Sequence, residues 1–212
     1  MTKEQPTYRA VRLFTEDSSV LCYQYDAPSA TSGIIWLGGV RGGLDSPASG
    51  LYGRLAVEYR SKRISSLRIR YRAPSDFERC VEDALLGIQF LIQRGISQAI
   101  VVGYSMGGAV AIEAAAISPD IVKGVAVIAS QSYGTTAASR LSPRPLAVIQ
   151  GDRDVIATVE SATYIYQRAR EPKELVVIPG ADHSFDQHPG ELQRALEEFI
   201  DRVVLNPQSN VA

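Results

Sequence analysis

The sequence predicts an α/β fold built on one mostly parallel sheet, and three observations carry that expectation. Three β-rich segments open the chain, helical periodicity alternates with short apolar runs from about Pro47 onward, and no Pro-, Gly- or Ser-rich linker, internal repeat or low-complexity stretch divides it. Parallel strands need long crossovers, usually helices, and lie buried on both faces, so they read as continuous β-branched runs such as AIVVG at 99–103. With 45% apolar and 21% charged residues, 17 Gly and 11 Pro, the 212-residue chain has an ordinary globular composition.

The opening strands are expected at about Tyr8–Thr15, Val20–Asp26 and Gly33–Gly38, separated by the polar breaks EDSS and APSATS. The Gly-rich loop GGVRGGLDSP leads into a helix over about Ala48–Arg60, then a strand at Ile64–Tyr71. The next helix, Asp76–Gln93, carries Phe77, Val81, Leu85, Ile88 and Ile92 at three- and four-residue steps, with Asp76 placed to cap it and Gly95 to stop it. The segment AIVVGYSMGGAVAIEAAAISPD reads as a strand ending near Gly103, a tight turn, and a helix over Met106–Ile117 with Pro119 just beyond. Strands at Val122–Ala129, Leu146–Gln150 and Glu174–Ile178 follow, with helices at Thr158–Ala169 and Glu191–Val203. Residues 1–204 thus read as one domain of about eight strands, and 205–212 as a frayed tail.

Charge and cysteine usage narrow the function classes. The 22 Lys+Arg and 23 Asp+Glu give a formal charge of −1, and no run of five or six like charges points to nucleic acid or an anionic membrane. Cys22 and Cys80 lie far apart, without a CxxC partner or a histidine at ligand spacing, and read as reduced thiols rather than a metal site. The start MTKEQPTYRA has no apolar run behind a basic stretch, and no segment approaches 18 apolar residues, so a cytoplasmic protein is expected. The edge strand at the N-terminus leaves monomer and homodimer both open.

The sharpest chemical feature is Gly103-Tyr104-Ser105-Met106-Gly107, followed by Gly108, where a strand meets a helix. This is a GxSxG nucleophile elbow: a serine raised on a strained strand-to-helix turn, with neighbours lacking a Cβ so that backbone segments approach closely. It also sets Ser105 at the positive end of a helix, where an oxyanion is stabilised. A serine needs a general base, and the chain offers only His183 and His188. His183, directly after the last strand, would emerge on the same sheet edge as Ser105, whereas His188 sits nearer the terminal helix. An orienting carboxylate belongs between serine and histidine in the chain, and Asp152 and Asp154 both qualify on the loop after the seventh strand. Asp154 lies farther out and is preferred, because Asp152 immediately follows Gly151 and can shape the turn. For an oxyanion hole, Met106 supplies one backbone N–H, and the loop WLGGVRGG supplies the second from Gly39, with Val40 the runner-up. Arg41 and Arg72 leave the third and fourth strands, and either could receive a substrate carboxylate.

Together, GYSMGG, GDRD and GADHSF resemble the nucleophile, acid and base motifs of the α/β-hydrolase family, in the family's order, across about Tyr8–Val204. RYRAPSD is similar to the Arg-Gly-rich turn common there, and Asp83 with LLGIQFL to the helix before the elbow. The resemblance implies a mostly parallel eight-stranded sheet in a three-layer α/β/α arrangement, with helices on both faces and Ser105–His183–Asp154 as the triad. Only QSYGTTAASRLSPR separates the sixth and seventh strands, where larger members insert a lid, so the chain resembles capless, dienelactone-hydrolase-like and small carboxylesterase branches. It departs from dienelactone hydrolases in carrying serine where they use cysteine, and from many members in having Leu37 before Gly38 where His-Gly is common. The expected activity is cleavage of a small or short-acyl carboxylic ester or thioester, without metal or organic cofactor. The alternatives are a catalytically silent ligand-binding protein, or C–C hydrolase or haloperoxidase-like chemistry on the same residues.

Overall fold

A computed structural model of the chain describes residues 7–205. Its strands are β1 (Arg9–Phe14), β2 (Ser19–Tyr25), β3 (Ser32–Leu37), β4 (Ile64–Arg70), β5 (Gln98–Tyr104), β6 (Val122–Ile128), β7 (Leu146–Gly151) and β8 (Lys173–Ile178). They form one eight-stranded sheet in the order β1-β2-β4-β3-β5-β6-β7-β8. The pairs β1/β2 and β2/β4 are antiparallel, and every later pair is parallel. The short polar break after β1 joins antiparallel neighbours, whereas the one after β2 leads to β3, a strand's width beyond the place that β4 fills, and the helix-bearing connections from β3 onward join parallel strands.

Helices α1 (Pro47–Ser61) and α5 (Pro189–Val204) cover one face, and α2 (Phe77–Gln93), α3 (Met106–Ile117) and α4 (Val159–Arg168) cover the other. Alternation along the strands divides the core accordingly: Ile35, Leu37, Val125 and Val127 face α2 and α3, while Ile34, Trp36, Ala126 and Ile128 face α1 and α5. Helix α3 is buried from Met106 through Ile112 and again at Ala114 and Ala115, as its almost wholly apolar sequence requires. Of the tail expected at 205–212, all but Leu205 lies outside the described residues.

Three local departures from expectation have physical causes. Helix α1 starts irregularly, with Ala48, Ser49 and Gly50 all at positive φ, because its first turn is held from outside: the Ala48 N–H donates to the Ser184 carbonyl, and the Tyr52 N–H to Ser46 Oγ. The buried stripe of α2 runs through Cys80, Ala84, Gly87 and Leu91 beside Val81 and Ile88, leaving Ile92 exposed, so small residues share the sheet-facing side with the large apolar ones. A 3-10 helix at Thr136–Arg140, in a segment without apolar periodicity, fills the connection from β6 to β7, where no cap domain is inserted.

Candidate active site

Ser105 sits between β5 and α3 with φ 56° and ψ −125°, a conformation that costs a non-glycine residue about 1–3 kcal/mol. Its neighbours explain how the turn closes. A Cβ at Gly103 would lie 2.0 Å from the Gly107 carbonyl oxygen, and one at Gly107 would lie 2.3 Å from that of Gly38. Glycine is therefore required at both positions, and the second contact packs the elbow directly against the loop after β3. The Ser105 N–H donates to the Ile128 carbonyl (2.9 Å), which ties the turn to the end of β6.

The loops after β7 and β8 bring the other two residues to the same carboxyl edge. His183 Nε2 lies 3.2 Å from Ser105 Oγ, and His183 Nδ1 lies 2.7 Å from Asp154 Oδ2. An ionised carboxylate only accepts, so Nδ1 carries the proton, Nε2 is the acceptor, and the serine hydroxyl donates to it. Asp154 is almost fully buried and heavily bonded: Oδ1 accepts the N–H groups of Ile156 (2.8 Å) and Ala157 (2.9 Å), and Oδ2 accepts from Gln150 Nε2 (3.2 Å). These donors hold the carboxylate in one orientation beneath the imidazole. Asp152, the other acid that position allows, instead accepts the Gly180 N–H (2.6 Å) and shapes the turn after β8.

The histidine loop is fixed in its turn. Tyr104 donates its hydroxyl to the His183 carbonyl (3.1 Å), and burial, then the nearby Asp45 and Asp154 charges, push that phenol up to about 12. Asp182 accepts from Ser184 Oγ, Ser184 N and Phe185 N, and the hydroxyl contact is the leading reason its pKa falls below the ordinary value. His188, the other histidine, precedes α5 at its N-cap, with Nδ1 3.8 Å from Glu191 Oε1, and does not line the Ser105 cavity.

The expectation for the oxyanion loop needs correction. The Gly39 N–H points at Asp45 and donates to Oδ2 (2.9 Å), while Asp45 Oδ1 takes the Gly43 N–H (3.1 Å). The Gly39 N–H is therefore already bonded, whereas the Val40 N–H finds no acceptor among the described residues and Val40 lines the Ser105 cavity. Arg72 is also corrected. Its guanidinium is held by Asp83 (2.5 Å), Glu82 (3.2 Å) and Ser18 (2.9 Å), in a separate hollow with Thr15, Glu16 and Leu85. Asp83 is fully buried and captures the arginine that the bare sequence left free.

Ser105 and His183 open into a cavity of about 620 Å³, whose walls include Arg41, the exposed apolar residues Val40, Val155 and Ile156, and Arg153. Arg41 thus stands where the sequence put it. Arg153 and Asp45 sit inside GDRD and GGVRGGLDSP, but nothing in those patterns marks either as a site residue, and the only sequence signal for Gln150 is that it is the one polar residue in the apolar run LAVIQG.

Residues 12–164 match the alpha/beta hydrolase family, which is well over half of the chain. The chain belongs to that family. The uncharacterized protein YfhR of Escherichia coli (strain K12) is 31% identical over 100 residues, covering 45% of this chain and 34% of that protein. The chain thus aligns with about a third of the length of the curated relatives it matches. Among solved structures, Est1E from Butyrivibrio proteoclasticus superposes with a TM-score of 0.79 at 15% identity, covering 93% of this chain and 99% of that one. Dienelactone hydrolase from Anabaena variabilis ATCC 29413 gives 0.76 at 18% identity, over 95% and 98%. At these identities the likeness is one of fold. No helix among the described residues is long and apolar enough to cross a membrane.

Proposed function

We propose that this member of the alpha/beta hydrolase family is a serine hydrolase that cleaves a small or short-acyl carboxylic ester or thioester. The observation that carries this reading is the hydrogen-bond chain from Ser105 Oγ through His183 to the buried carboxylate of Asp154. Ser105 attacks the carbonyl carbon while His183 Nε2 takes its proton, and Asp154 stabilises the imidazolium that forms. The carbonyl oxygen becomes an oxyanion held by the N–H groups of Met106 and Val40, at the N-terminus of α3 and on the loop after β3. His183 then returns the proton to the leaving alcohol or thiol. Water enters on the same base, splits the acyl-enzyme and frees the acid.

Val40, Val155 and Ile156 offer apolar contact to an acyl or alcohol arm, and Arg41 and Arg153 can meet an anionic substituent beyond it. The connection between β6 and β7 adds no cap over the cavity, which favours compact substrates. Turnover of p-nitrophenyl acetate, butyrate and octanoate by the protein, beside Ser105→Ala, His183→Ala and His188→Ala, tests the proposal. The expected result is activity that falls along the chain-length series, vanishes in the first two variants and persists in the third. A folded protein that hydrolyses none of these and no thioester would overturn it, and would favour ligand binding without turnover.

A further inference from the structure

Asp45 has no part in the reaction as written, yet it touches the oxyanion loop at two points. One carboxylate oxygen accepts the Gly39 N–H (2.9 Å) and the other the Gly43 N–H (3.1 Å), bridging both ends of the turn. Backbone bonds close the same turn: the Gly38 N–H donates to the Gly43 carbonyl (2.9 Å), and the Gly43 N–H also approaches that of Gly39 (3.2 Å). On its far flank Arg68 donates to the Leu44 carbonyl, anchoring the residue before Asp45 to the sheet.

The clamp lies against the nucleophile. A Cβ at Gly39 would stand 3.0 Å from Asp45 Oδ2 and 3.2 Å from the Ser105 Cβ, so Gly39 is wedged between the two side chains. Val40 follows it immediately. A loop of four glycines within six residues has little intrinsic preference for one shape, and something outside its backbone must select it. We propose that Asp45 is a positioning residue, whose carboxylate clamps Gly39 and Gly43 so that the Val40 N–H faces the oxyanion. This rests on the serine hydrolase reading above. It also accounts for the Gly39 N–H being bonded within the loop.

The clamp needs two acceptors, and the side chains that can replace Asp45 differ in how many they have. Alanine has none, and asparagine has one acceptor oxygen with an amide that opposes the second N–H. Displaced oxyanion donors weaken the transition state more than the bound substrate, so the effect belongs in kcat. In Asp45→Ala, kcat for p-nitrophenyl acetate is expected to fall about 10- to 100-fold with KM unchanged. Asp45→Asn is expected to lose less than Asp45→Ala. Amide hydrogen exchange at Gly39 and Gly43 should quicken in the same order.

Two results would overturn the proposal: wild-type kcat in Asp45→Ala despite faster exchange at Gly39, or a loss confined to KM. Should Asp45→Ala fail to fold, Asp45→Asn decides, and wild-type kcat there with faster exchange at Gly43 or Gly39 has the same meaning. A wild-type protein that folds but hydrolyses nothing faults the hydrolase reading instead, while the exchange rates still report on the clamp by themselves.

Discussion

Asp154→Asn isolates what the buried carboxylate does, because the bonds around it dictate how an amide must sit. Oδ1 faces two backbone donors, the N–H groups of Ile156 and Ala157, so the amide oxygen of asparagine must remain there. The amide nitrogen then replaces Oδ2, 2.7 Å from His183 Nδ1 and 3.2 Å from Gln150 Nε2. It opposes the Gln150 donor and forces Nδ1 to accept, which moves the imidazole proton to Nε2, opposite Ser105. A protonated Nε2 takes no proton from the hydroxyl. The corresponding change in serine proteases lowers kcat by about 10⁴ through the same tautomer error, or about 5.4 kcal/mol on the barrier. Because Asp154 lies beneath the imidazole and does not line the cavity, KM should stay unchanged. Steady-state hydrolysis of p-nitrophenyl acetate at pH 7–8, with circular dichroism to confirm folding, measures both constants. A kcat within about tenfold of wild type would mean that another group orients His183.

Other consequences are as specific. Arg72→Ala should destabilise the protein by about 3 kcal/mol in urea titrations, because it strips the buried Asp83 carboxylate of its cation, and should leave the ester KM unchanged. A raised KM at unaltered stability would instead return Arg72 to the substrate cavity. Cys22 and Cys80 are both pushed up to about 12, chiefly by burial, so neither should react with Ellman's reagent at pH 8 until denaturant is added; rapid reaction of the native protein would contradict that. Asp182, lowered first by the Ser184 hydroxyl, stabilises the histidine loop above the ordinary value of 3.8, and that contribution is lost as pH falls through its depressed pKa. The gap in urea midpoint between wild type and Asp182→Asn should accordingly be present at pH 7 and shrink in strong acid; a gap that widens in acid would reverse the sign.

How much of this was legible in the sequence depended on how local each signal was. The strand-to-helix elbow at Ser105, the scarcity of histidines and the place of GDRD after a strand are short-range features, and the structure brings those three residues together. The strands were legible for the same reason, since burial on both faces writes continuous apolar runs into β3, β5, β6 and β7. What failed depended on partners distant in the chain or on side-chain choices within a loop. Whether Gly39 or Val40 presents a free N–H turns on where the Asp45 carboxylate swings, and no periodicity reports that. Arg72 looked available because its partner Asp83 lies 11 residues on, in the next helix, and no local pattern pairs the two. The face of α2 was legible only in part: Val81 and Ile88 are buried, but small residues at Cys80, Ala84 and Gly87 share that face and let the helix approach the sheet closely, so that a Cβ at Gly87 would stand 2.4 Å from Ile69 Cδ1. Counting large apolar side chains cannot reveal such an approach.

A Ser105 nucleophile activated by His183 is expected to react with a fluorophosphonate, and intact mass after incubation reads that reaction. Because the reagent phosphonylates an activated serine, the reading predicts one adduct per chain in wild type, none in Ser105→Ala, and at most very slow labelling in His183→Ala. A folded wild-type protein that gains no mass, or a Ser105→Ala variant labelled as fast as wild type, would contradict it.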